Sequence, residues 1–495
     1  MMIYIKKYIL GYQLMLLIIA VSFVANAQTK NEQKKPNIVF ILTDQWRASS
    51  LGYAGDKIVQ TPYLDKFAKE AVNLSNTVSV TPVCTPHRAA LFTGKYPTTT
   101  GMFLNDVYMP SEELCMAEIY KQAGYQTAYI GKWHLDGHGR ELNVAPNRRQ
   151  GFDYWKGTEC SHDYNKMPYY ENENPEQKIW QGYSTFAMAD DANQYFEKHA
   201  KDTNPFLMVI SLATPHFPHQ TAPKEYQALY PDEKLKLYPN VPEDLKQVVF
   251  KELRGYYGHC TATDKAIGDI INKLKELNIY DNSILVFTSD HGEMMGSHGV
   301  KPYRKQLAWN ESSHVPFLIS YPKMDRNKGK TLELPLTTPD ILPTLLALSN
   351  IAIPKGIEGE NLAETIKKGK SNADRPALYM NIFPFDANFL DLEYRALRTK
   401  QYSYIKFLNS AMLFDNDKDP YQLDNLIDKS HYQKVKTTLD NQLKHKLARI
   451  RDDFKPREYY IRKWGFDLNT KDKSNIKYNF EPGEEHVVQS PQKKF

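Results

Sequence analysis

The sequence has few cysteines and no strong excess of either charge. Its 495 residues contain four widely separated cysteines, Cys84, Cys115, Cys160 and Cys260, so the count allows two disulfides but excludes a disulfide-rich scaffold or a cysteine metal knuckle. Lys plus Arg number 63 and Asp plus Glu 58, giving a net charge of +5. That balance argues against a polybasic or a disordered acidic protein, and no nucleic-acid partner is expected.

Long apolar runs are also absent, except for one near the N-terminus. Two lysines precede an apolar run over residues 9–24, which is followed by Ala25, Asn26 and Ala27. The order basic, apolar, small predicts a secretory signal peptide at residues 1–27, cleaved after Ala27. The run is shorter than the ~20 residues of a membrane-spanning helix, although an uncleaved signal would still tether the chain. We expect a periplasmic or secreted protein without stable membrane association.

Several apolar, branched stretches of strand length end abruptly in polar residues. The clearest are residues 38–42, 127–130, 206–212 and 284–287. Continuously apolar strands are buried on both faces, which is typical of a mostly parallel sheet covered by helices. Helix-like segments lie between them, at residues 63–71, 113–123, 187–199 and 256–277. The pattern predicts an α/β fold with a large, mostly parallel or mixed sheet between helices.

Reactive side chains follow each of these four strands. They are Asp44 and Gln45, Lys132 and His134, His216, and Asp290 and His291. A single Asp or His after a strand is more often a helix cap or a turn former. Ligands of such sheets, however, bind at the carboxyl ends of the strands. Four such exits together therefore favour a shared site.

Residues 83–94 predict a short helix. Pro86 is tolerated in its first turn and Gly94 ends it. Cys84 then lies at the helix N-terminus, where backbone N–H groups favour an anion, and Arg88 lies one turn later on the same face. The ordinary alternative is a buried, purely structural cysteine.

The segment Cys84-Thr85-Pro86-His87-Arg88, followed by residues 91–97, resembles the signature of the formylglycine-dependent sulfatases of the alkaline phosphatase-like superfamily. The resemblance includes residues 36–45, 131–134, 215–216 and 289–292, in the family's order, and favours a bacterial carbohydrate sulfatase. It implies that Cys84 is oxidised to formylglycine by a formylglycine-generating or anaerobic sulfatase-maturating enzyme, which is an expected partner.

The resemblance implies a catalytic role for six positions. The hydrated formylglycine made from Cys84 would attack sulfur, and Arg88 would polarise its hydroxyls. Lys132 would bind sulfate, His134 would take the proton that lets the diol collapse, and His216 would protonate the leaving oxygen. The sixth position is a family lysine that precedes a Glu-containing turn and a Val-Pro strand, and it matches Lys305, with Lys301 as the alternative.

The resemblance also implies a divalent metal held by Asp44, Gln45, Asp290 and His291 together with the oxidised Cys84. Oxygen-rich ligands suit hard cations, so Ca²⁺ is expected, with Mg²⁺ or Mn²⁺ as alternatives. Gln45 and His291 stand where the family commonly has an acid and an asparagine. The Gln and His variant also occurs in choline sulfatases and phosphonate monoester hydrolases.

The pattern changes near residue 350. A helix over 336–349 is followed by strand-like segments at 377–382, 395–399, 402–406 and 412–415 and by a helix at 431–450. We expect a catalytic domain at 28–370, a C-terminal α+β subdomain with a small antiparallel sheet at 371–466, and a polar tail at 467–495. Residues 153–186 fit neither strand nor helix throughout and are expected to be a loop, either at the pocket rim or on the surface.

The sequence therefore predicts an exported sulfuric ester hydrolase that acts on a sulfated saccharide or polysaccharide fragment. Three alternatives stay open. The first is a phosphonate monoester or phosphodiester hydrolase with the same machinery, and the second is a small-molecule sulfatase similar to choline sulfatase. The third, a non-catalytic glycan-binding protein, is disfavoured because the catalytic positions are intact.

Overall fold

The computed structural model describes residues 34–322, 324, 327–369, 375–384 and 392–466. The predicted signal peptide at 1–27 and polar tail at 467–495 lie outside the described residues. Within the described ranges, no helix is both long and apolar enough to cross a membrane. The residues from Asn37 onward form one unit, and the division near residue 370 stays a prediction.

A large mixed sheet lies at the centre of the fold. Its strands are β1 (Asn37–Asp44), β2 (Val72–Val78), β3 (Gln126–Lys132), β4 (Tyr154–Thr158), β5 (Pro168–Glu171), β6 (Asn174–Ile179), β7 (Phe206–Pro215), β8 (Ser283–Ser289), β9 (Phe317–Ser320) and β10 (Thr331–Thr337). Their spatial order is β10-β2-β9-β8-β1-β7-β3-β4-β5-β6. The five strands from β8 to β4 in this order run parallel, while β9, β5 and β6 pair antiparallel with their neighbours.

A second, smaller sheet follows in the chain. It contains β11 (Ala377–Asn381), β12 (Tyr394–Arg398), β13 (Tyr402–Phe407) and β14 (Ala411–Asp415), all antiparallel in sequence order. The helices are α1 (Pro62–Ala68), α2 (Cys84–Thr93), α3 (Pro97–Thr100), α4 (Met116–Gln122), α5 (Ser184–His199), α6 (Lys224–Gln227), α7 (Lys246–Glu276), α8 (Asn310–Ser313), α9 (Ile341–Leu348), α10 (Ala363–Lys368), α11 (Gln433–Arg449) and α12 (Arg457–Lys463).

Both faces of the main sheet are buried, as the continuously apolar strands predict. In β1, Ile38, Phe40 and Leu42 belong to one hydrophobic cluster, whereas Val39 and Ile41 belong to another. The first cluster includes residues of α2, α4, α9 and α11, and the second includes residues of α1, α5 and α7. Helices therefore cover the sheet on both sides, which confirms the predicted fold class.

The sheet topology explains how distant segments reach one place. Strands β8, β1, β7 and β3 are consecutive neighbours and parallel. Their carboxyl ends therefore lie at one edge, where parallel α/β sheets bind ligands. These are the four strands whose exits carry the predicted reactive residues.

Two predicted elements differ in the structure. The segment 153–186, predicted as a loop, contains β4, β5 and β6, because its polar residues pair at the edge of the sheet where one side faces solvent. The helix predicted at 336–349 begins only at Ile341, since Leu336 and Thr337 pair with β2 as the end of β10.

Candidate active site

The thiol of Cys84 is the centre of a buried polar cluster. Its Sγ lies 3.2 Å from His291 Nε2, 3.6 Å from Lys132 Nζ, 3.6 Å from Lys305 Nζ and 3.9 Å from Asp44 Oδ1. All five residues are buried. The strand exits of β1, β3 and β8, the first residue of α2 and the loop before α8 therefore converge on one point.

Helix α2 places Cys84 as the prediction requires. The helix starts at Cys84, contains Pro86 in its first turn and ends at Gly94, which takes a left-handed conformation with φ 66°. The backbone N–H of Thr85 donates to Asn105 Oδ1 at 3.0 Å, and the Thr85 hydroxyl donates to the backbone oxygen of His134 at 2.9 Å. The start of the helix is thus tied to the loop that carries His134.

Arg88 joins the two aspartates of the cluster. Its NH2 lies 3.3 Å from Asp44 Oδ2 and 3.2 Å from Asp290 Oδ2, and its NH1 donates to the Lys132 backbone oxygen at 2.8 Å and to Ser211 Oγ at 2.7 Å. All of its named partners lie on the neighbouring strands β8, β1, β7 and β3 or their exits. Arg88 therefore fixes the spacing of the four strand ends.

Burial and nearby charges set the protonation of the site. Burial alone would raise the pKa of Asp44, but Lys132, whose Nζ lies 2.7 Å from Asp44 Oδ2, and then His216, His291 and Arg88 hold it well below its usual value. Burial and Asp44 raise the pKa of the Cys84 thiol, but Lys132, Lys305 and His291 together lower it well below its usual value. The site thus favours negative charge on both groups.

Four of the five predicted metal ligands form a set with converging donor atoms. One donor atom each from Asp44, Cys84, Asp290 and His291 lies within 4.8 Å of the others. His291 Nδ1 donates to the Gly292 backbone oxygen at 2.9 Å, so Nε2 is the nitrogen that faces the cluster. Burial and the charge of Asp44 raise the pKa of Asp290 to about 6. Two facing buried carboxylates and an imidazole nitrogen fit a divalent cation.

Gln45, the fifth predicted ligand, also reaches the cluster. Its Oε1 accepts from Lys305 Nζ at 3.0 Å, and its Nε2 donates to a carboxylate oxygen of Glu293. The backbone at Gln45 has φ 67°, and its N–H donates to Asp290 Oδ1 at 3.1 Å. Its amide oxygen is therefore turned toward the cluster while Glu293 holds the amide nitrogen.

His216 and Lys305 form a pair beside the thiol. His216 Nδ1 donates to the Phe217 backbone oxygen at 2.8 Å, which leaves Nε2 to accept from Lys305 Nζ at 2.9 Å. Burial, together with the positive charge of Lys305, lowers the pKa of His216 well below its usual value. Lys301, the alternative to Lys305, is exposed, whereas Lys305 is buried.

His134 is a third histidine near the thiol and is also buried. Its Nε2 donates to Asp106 Oδ1 at 2.9 Å. Burial lowers the pKa of His134, but interactions with Cys160 and Asp106 outweigh burial and raise it to about 10. Glu159 fixes the loop that follows His134. Its carboxylate accepts hydrogen bonds from the backbone N–H groups of residues 135–137.

The structure adds residues that the sequence analysis did not select. Asn105 and Asp106 contact Thr85 and His134, and Glu293 holds Gln45. The available signal was a polar Asn-Asp pair between apolar neighbours and a carboxylate two residues after His291. All four cysteines are free in the structure, so the two disulfides that the count allows do not form.

Two family models together match most of the chain. The family model described as Sulfatase matches residues 36–351, and the model described as N-sulphoglucosamine sulphohydrolase, C-terminal, matches residues 296–449. A protein named ulvan-active sulfatase from Formosa agariphila is 57% identical over 470 residues, covering 94% of this chain and 92% of that protein. An endo-4-O-sulfatase from Bacteroides thetaiotaomicron is 30% identical over 462 residues, covering 81% and 90%.

A solved structure has the same fold. The crystal structure of the putative sulfatase yidJ from Bacteroides fragilis matches with a TM-score of 0.78 and 30% identity, covering 88% of this chain and 99% of that one. The similarity therefore extends through both sheets rather than being limited to the Cys84 segment.

Proposed function

The chain belongs to the sulfatase family and is a sulfuric ester hydrolase, and on that premise we propose that it is exported and removes sulfate from a sulfated saccharide or polysaccharide fragment. The observation that carries the proposal is the convergence of two lysines, an arginine and three histidines around Cys84. A sulfate ester carries charged oxygens that repel nucleophiles, so hydrolysis needs cations around the sulfate and an acid at the leaving oxygen.

We assign roles to the chain's own residues as follows. Lys132 and Lys305 lie 3.6 Å from Cys84 Sγ and would bind the sulfate oxygens. His216 presents Nε2 between Lys305 and the cluster. A bound sulfate ester would offset the charge of Lys305, and the protonated His216 would then protonate the leaving alcohol. His134 would accept the proton that accompanies sulfate release. Arg88 holds Asp44 and Asp290 in place at 3.3 and 3.2 Å.

Two groups complete the proposed site. Formylglycine made from Cys84 would supply, as its hydrate, one hydroxyl as the nucleophile and a second hydroxyl for the release of sulfate. The side chains that contact Sγ would then surround these hydroxyls. A divalent cation, with Ca²⁺ expected, supplies positive charge that lowers the pKa of such a hydroxyl. Asp44, Gln45, Asp290 and His291 would hold that cation.

The substrate proposal rests on relatives rather than on a particular side chain of this protein. The relative at 57% identity is named for activity on ulvan, so ulvan oligosaccharides are the first substrates to test. The protein is expected to be periplasmic or secreted, with cleavage after Ala27.

The test uses the full chain coexpressed with a formylglycine-generating enzyme. Intact-mass analysis is expected to show loss of the Cys84 sulfur and gain of an aldehyde. Sulfate release is then measured from ulvan oligosaccharides and an aryl sulfate, beside phenylphosphonate and a phosphodiester, with Cys84→Ala as the inactive control. A large preference for either phosphorus ester would overturn the proposal, as would an unmodified thiol with no turnover.

A further inference from the structure

One nitrogen of His134 is held by a carboxylate that belongs to no predicted motif. His134 Nε2 donates to Asp106 Oδ1 at 2.9 Å, and the histidine side chain is 2% exposed. Its Nδ1 is buried and has no hydrogen-bond partner among the described residues. Because Asp106 takes Nε2, Nδ1 is the nitrogen left for Cys84, whose side chain interacts with this ring.

Asp106 is itself held in a fixed orientation. Arg140 donates from Nε to Asp106 Oδ1 and from NH2 to Oδ2, both at 3.1 Å, which is a bidentate contact. The backbone at Asp106 has φ 60°, in the left-handed region that a non-glycine residue seldom adopts. The preceding residue, Asn105, accepts the N–H of Thr85 beside Cys84. One dipeptide therefore orients both Cys84 and His134.

We propose that Asp106 is a positioning residue that holds Nε2–H of His134, so that Nδ1 faces the reacting group at position 84. The proposal rests on the proposed function and concerns the same site. A carboxylate that binds one imidazole nitrogen selects which nitrogen carries the proton and fixes the plane of the ring. Nδ1 of His134 then faces position 84 without a search among ring orientations.

The proposal differs from a purely structural reading of the same contacts. A partly exposed ion pair such as Arg140–Asp106 contributes little to stability, so its loss alone would leave turnover intact. A positioning role instead places the loss in the chemical step. We expect Asp106→Asn and Asp106→Ala to lower kcat by ~10²-fold or more. The KM for sulfate ester is expected not to rise, because His134 acts after the ester is cleaved and does not bind the ground state.

A matched control pair is present elsewhere in the chain. His199 Nδ1 donates to Asp202 Oδ2 at 2.8 Å, before the start of β7 and hence at the opposite edge of the sheet. Asp202→Asn removes a carboxylate from a similar His–Asp contact and is expected to leave kcat unchanged. Asp106→Glu retains the carboxylate and is expected to regain part of the lost rate. Intact-mass analysis is used to check that all variants contain the same fraction of formylglycine.

A second measurement needs no turnover. In the unmatured protein, a hydrogen-bonded imidazole N–H gives a downfield proton resonance, assigned to His134 by its loss in His134→Gln. We expect this resonance to disappear in Asp106→Ala and to persist in Asp202→Asn. Its persistence in Asp106→Ala would overturn the proposal, as would an unchanged kcat or a raised KM with unchanged kcat. A wild-type enzyme without sulfatase activity would instead overturn the proposed function, leaving the resonance test intact.

Discussion

At the scale of single residues, Lys305 gives the sharpest test of the proposed site. Its Nζ lies 3.6 Å from Cys84 Sγ, 2.9 Å from His216 Nε2 and 3.0 Å from Gln45 Oε1. Lys305→Ala removes a positive charge where the sulfate oxygens would lie and releases the His216 ring. We expect kcat/KM for an aryl sulfate to fall about 10²- to 10³-fold, measured as sulfate released.

Lys301 is the matched control for this substitution. It lies four residues earlier and is exposed, whereas Lys305 is buried. Lys301→Ala is expected to retain kcat/KM within about twofold, since exposed substitutions away from special contacts have small effects. Similar losses in both variants, or an active Lys305→Ala enzyme, would contradict the assignment of Lys305 to the site.

The converging donors predict stabilisation by a divalent cation. A ligand that binds only the folded state raises the free energy of unfolding by ~2.7 kcal/mol at a concentration 100 times its Kd. We expect Ca²⁺ to raise the melting temperature of the wild type after chelation, with Mg²⁺ and Mn²⁺ compared in parallel. Asp290→Asn removes one buried carboxylate and is expected to abolish the increase.

Asp281→Asn serves as the control for cation binding, because Asp281 is exposed and precedes the opposite end of β8. This variant is expected to show the wild-type increase in melting temperature. An unchanged melting temperature of the wild type with all three cations would count against the metal site.

Site residues could be predicted from the sequence only where they belong to a recognisable motif. The strand exits identified Asp44, Lys132 and His216, and the spacing to a Val-Pro strand picked Lys305, all of which the structure brings to one cluster. Asp106 could not be found this way, because its contact with His134 depends on the path of two irregular loops.

At the scale of elements, the close approach of β3 and β7 positions the Lys132 segment. Gly131 has φ +108°, and a Cβ on it would lie 2.0 Å from the backbone oxygen of Ser211. Gly131→Ala therefore forces the two strands apart next to Lys132 as well as imposing backbone strain. We expect a loss of ~3 kcal/mol or more in the free energy of unfolding by urea, with loss of activity.

Gly124 is the control that distinguishes backbone strain from a steric clash of the added Cβ. It also has positive φ, +86°, but a Cβ there would have no neighbour within 4 Å. Gly124→Ala is expected to cost only ~1 kcal/mol, the usual penalty for a left-handed residue with a side chain. Comparable losses in the two alanine variants would show that the contact with Ser211 is not what makes Gly131 necessary.

The elements that the sequence predicted correctly are those buried on both faces. Strands β1, β3, β7 and β8 were predicted because continuous apolar residues leave few alternatives. Strands β4, β5 and β6 were missed, since β6 is largely exposed and its residues carry no apolar pattern. The end of β10 was mistaken for helix because only Thr338, Pro339 and Asp340 separate it from the apolar helix α9.

At the scale of the whole molecule, the order of the strands in the main sheet could not be predicted from the sequence. The pairs β10–β2 and β2–β9 join segments about 250 residues apart, and periodicity carries no information on such pairing. The small sheet was predicted strand by strand, but its attachment was not. Glu360 makes one contact between the large-sheet region and the segments around the small sheet. Its carboxylate accepts hydrogen bonds from Arg375 at 2.9 Å, Lys446 at 2.8 Å and Arg449 at 3.1 Å.

Glu360 thus connects α11, which follows the small sheet, to the loop before α10, and this predicts a specific dependence of stability on pH. Burial would raise the pKa of Glu360, but Arg375 and Lys446 lower it to about 2 from its usual 4.5. Its contribution to folding is therefore complete above pH 4.5 and is lost as the pH falls toward 2.

Because the side chain is 31% exposed, we expect Glu360→Gln to lower the free energy of unfolding by only ~1–2 kcal/mol at pH 7. Urea unfolding of wild type and variant at pH 7 and pH 3 measures this, and the difference is expected to shrink at pH 3. Glu233→Gln, at an exposed position, should differ from wild type at neither pH. A pH-independent Glu360→Gln effect would mean that packing, rather than the charge of Glu360, holds α11 to the loop.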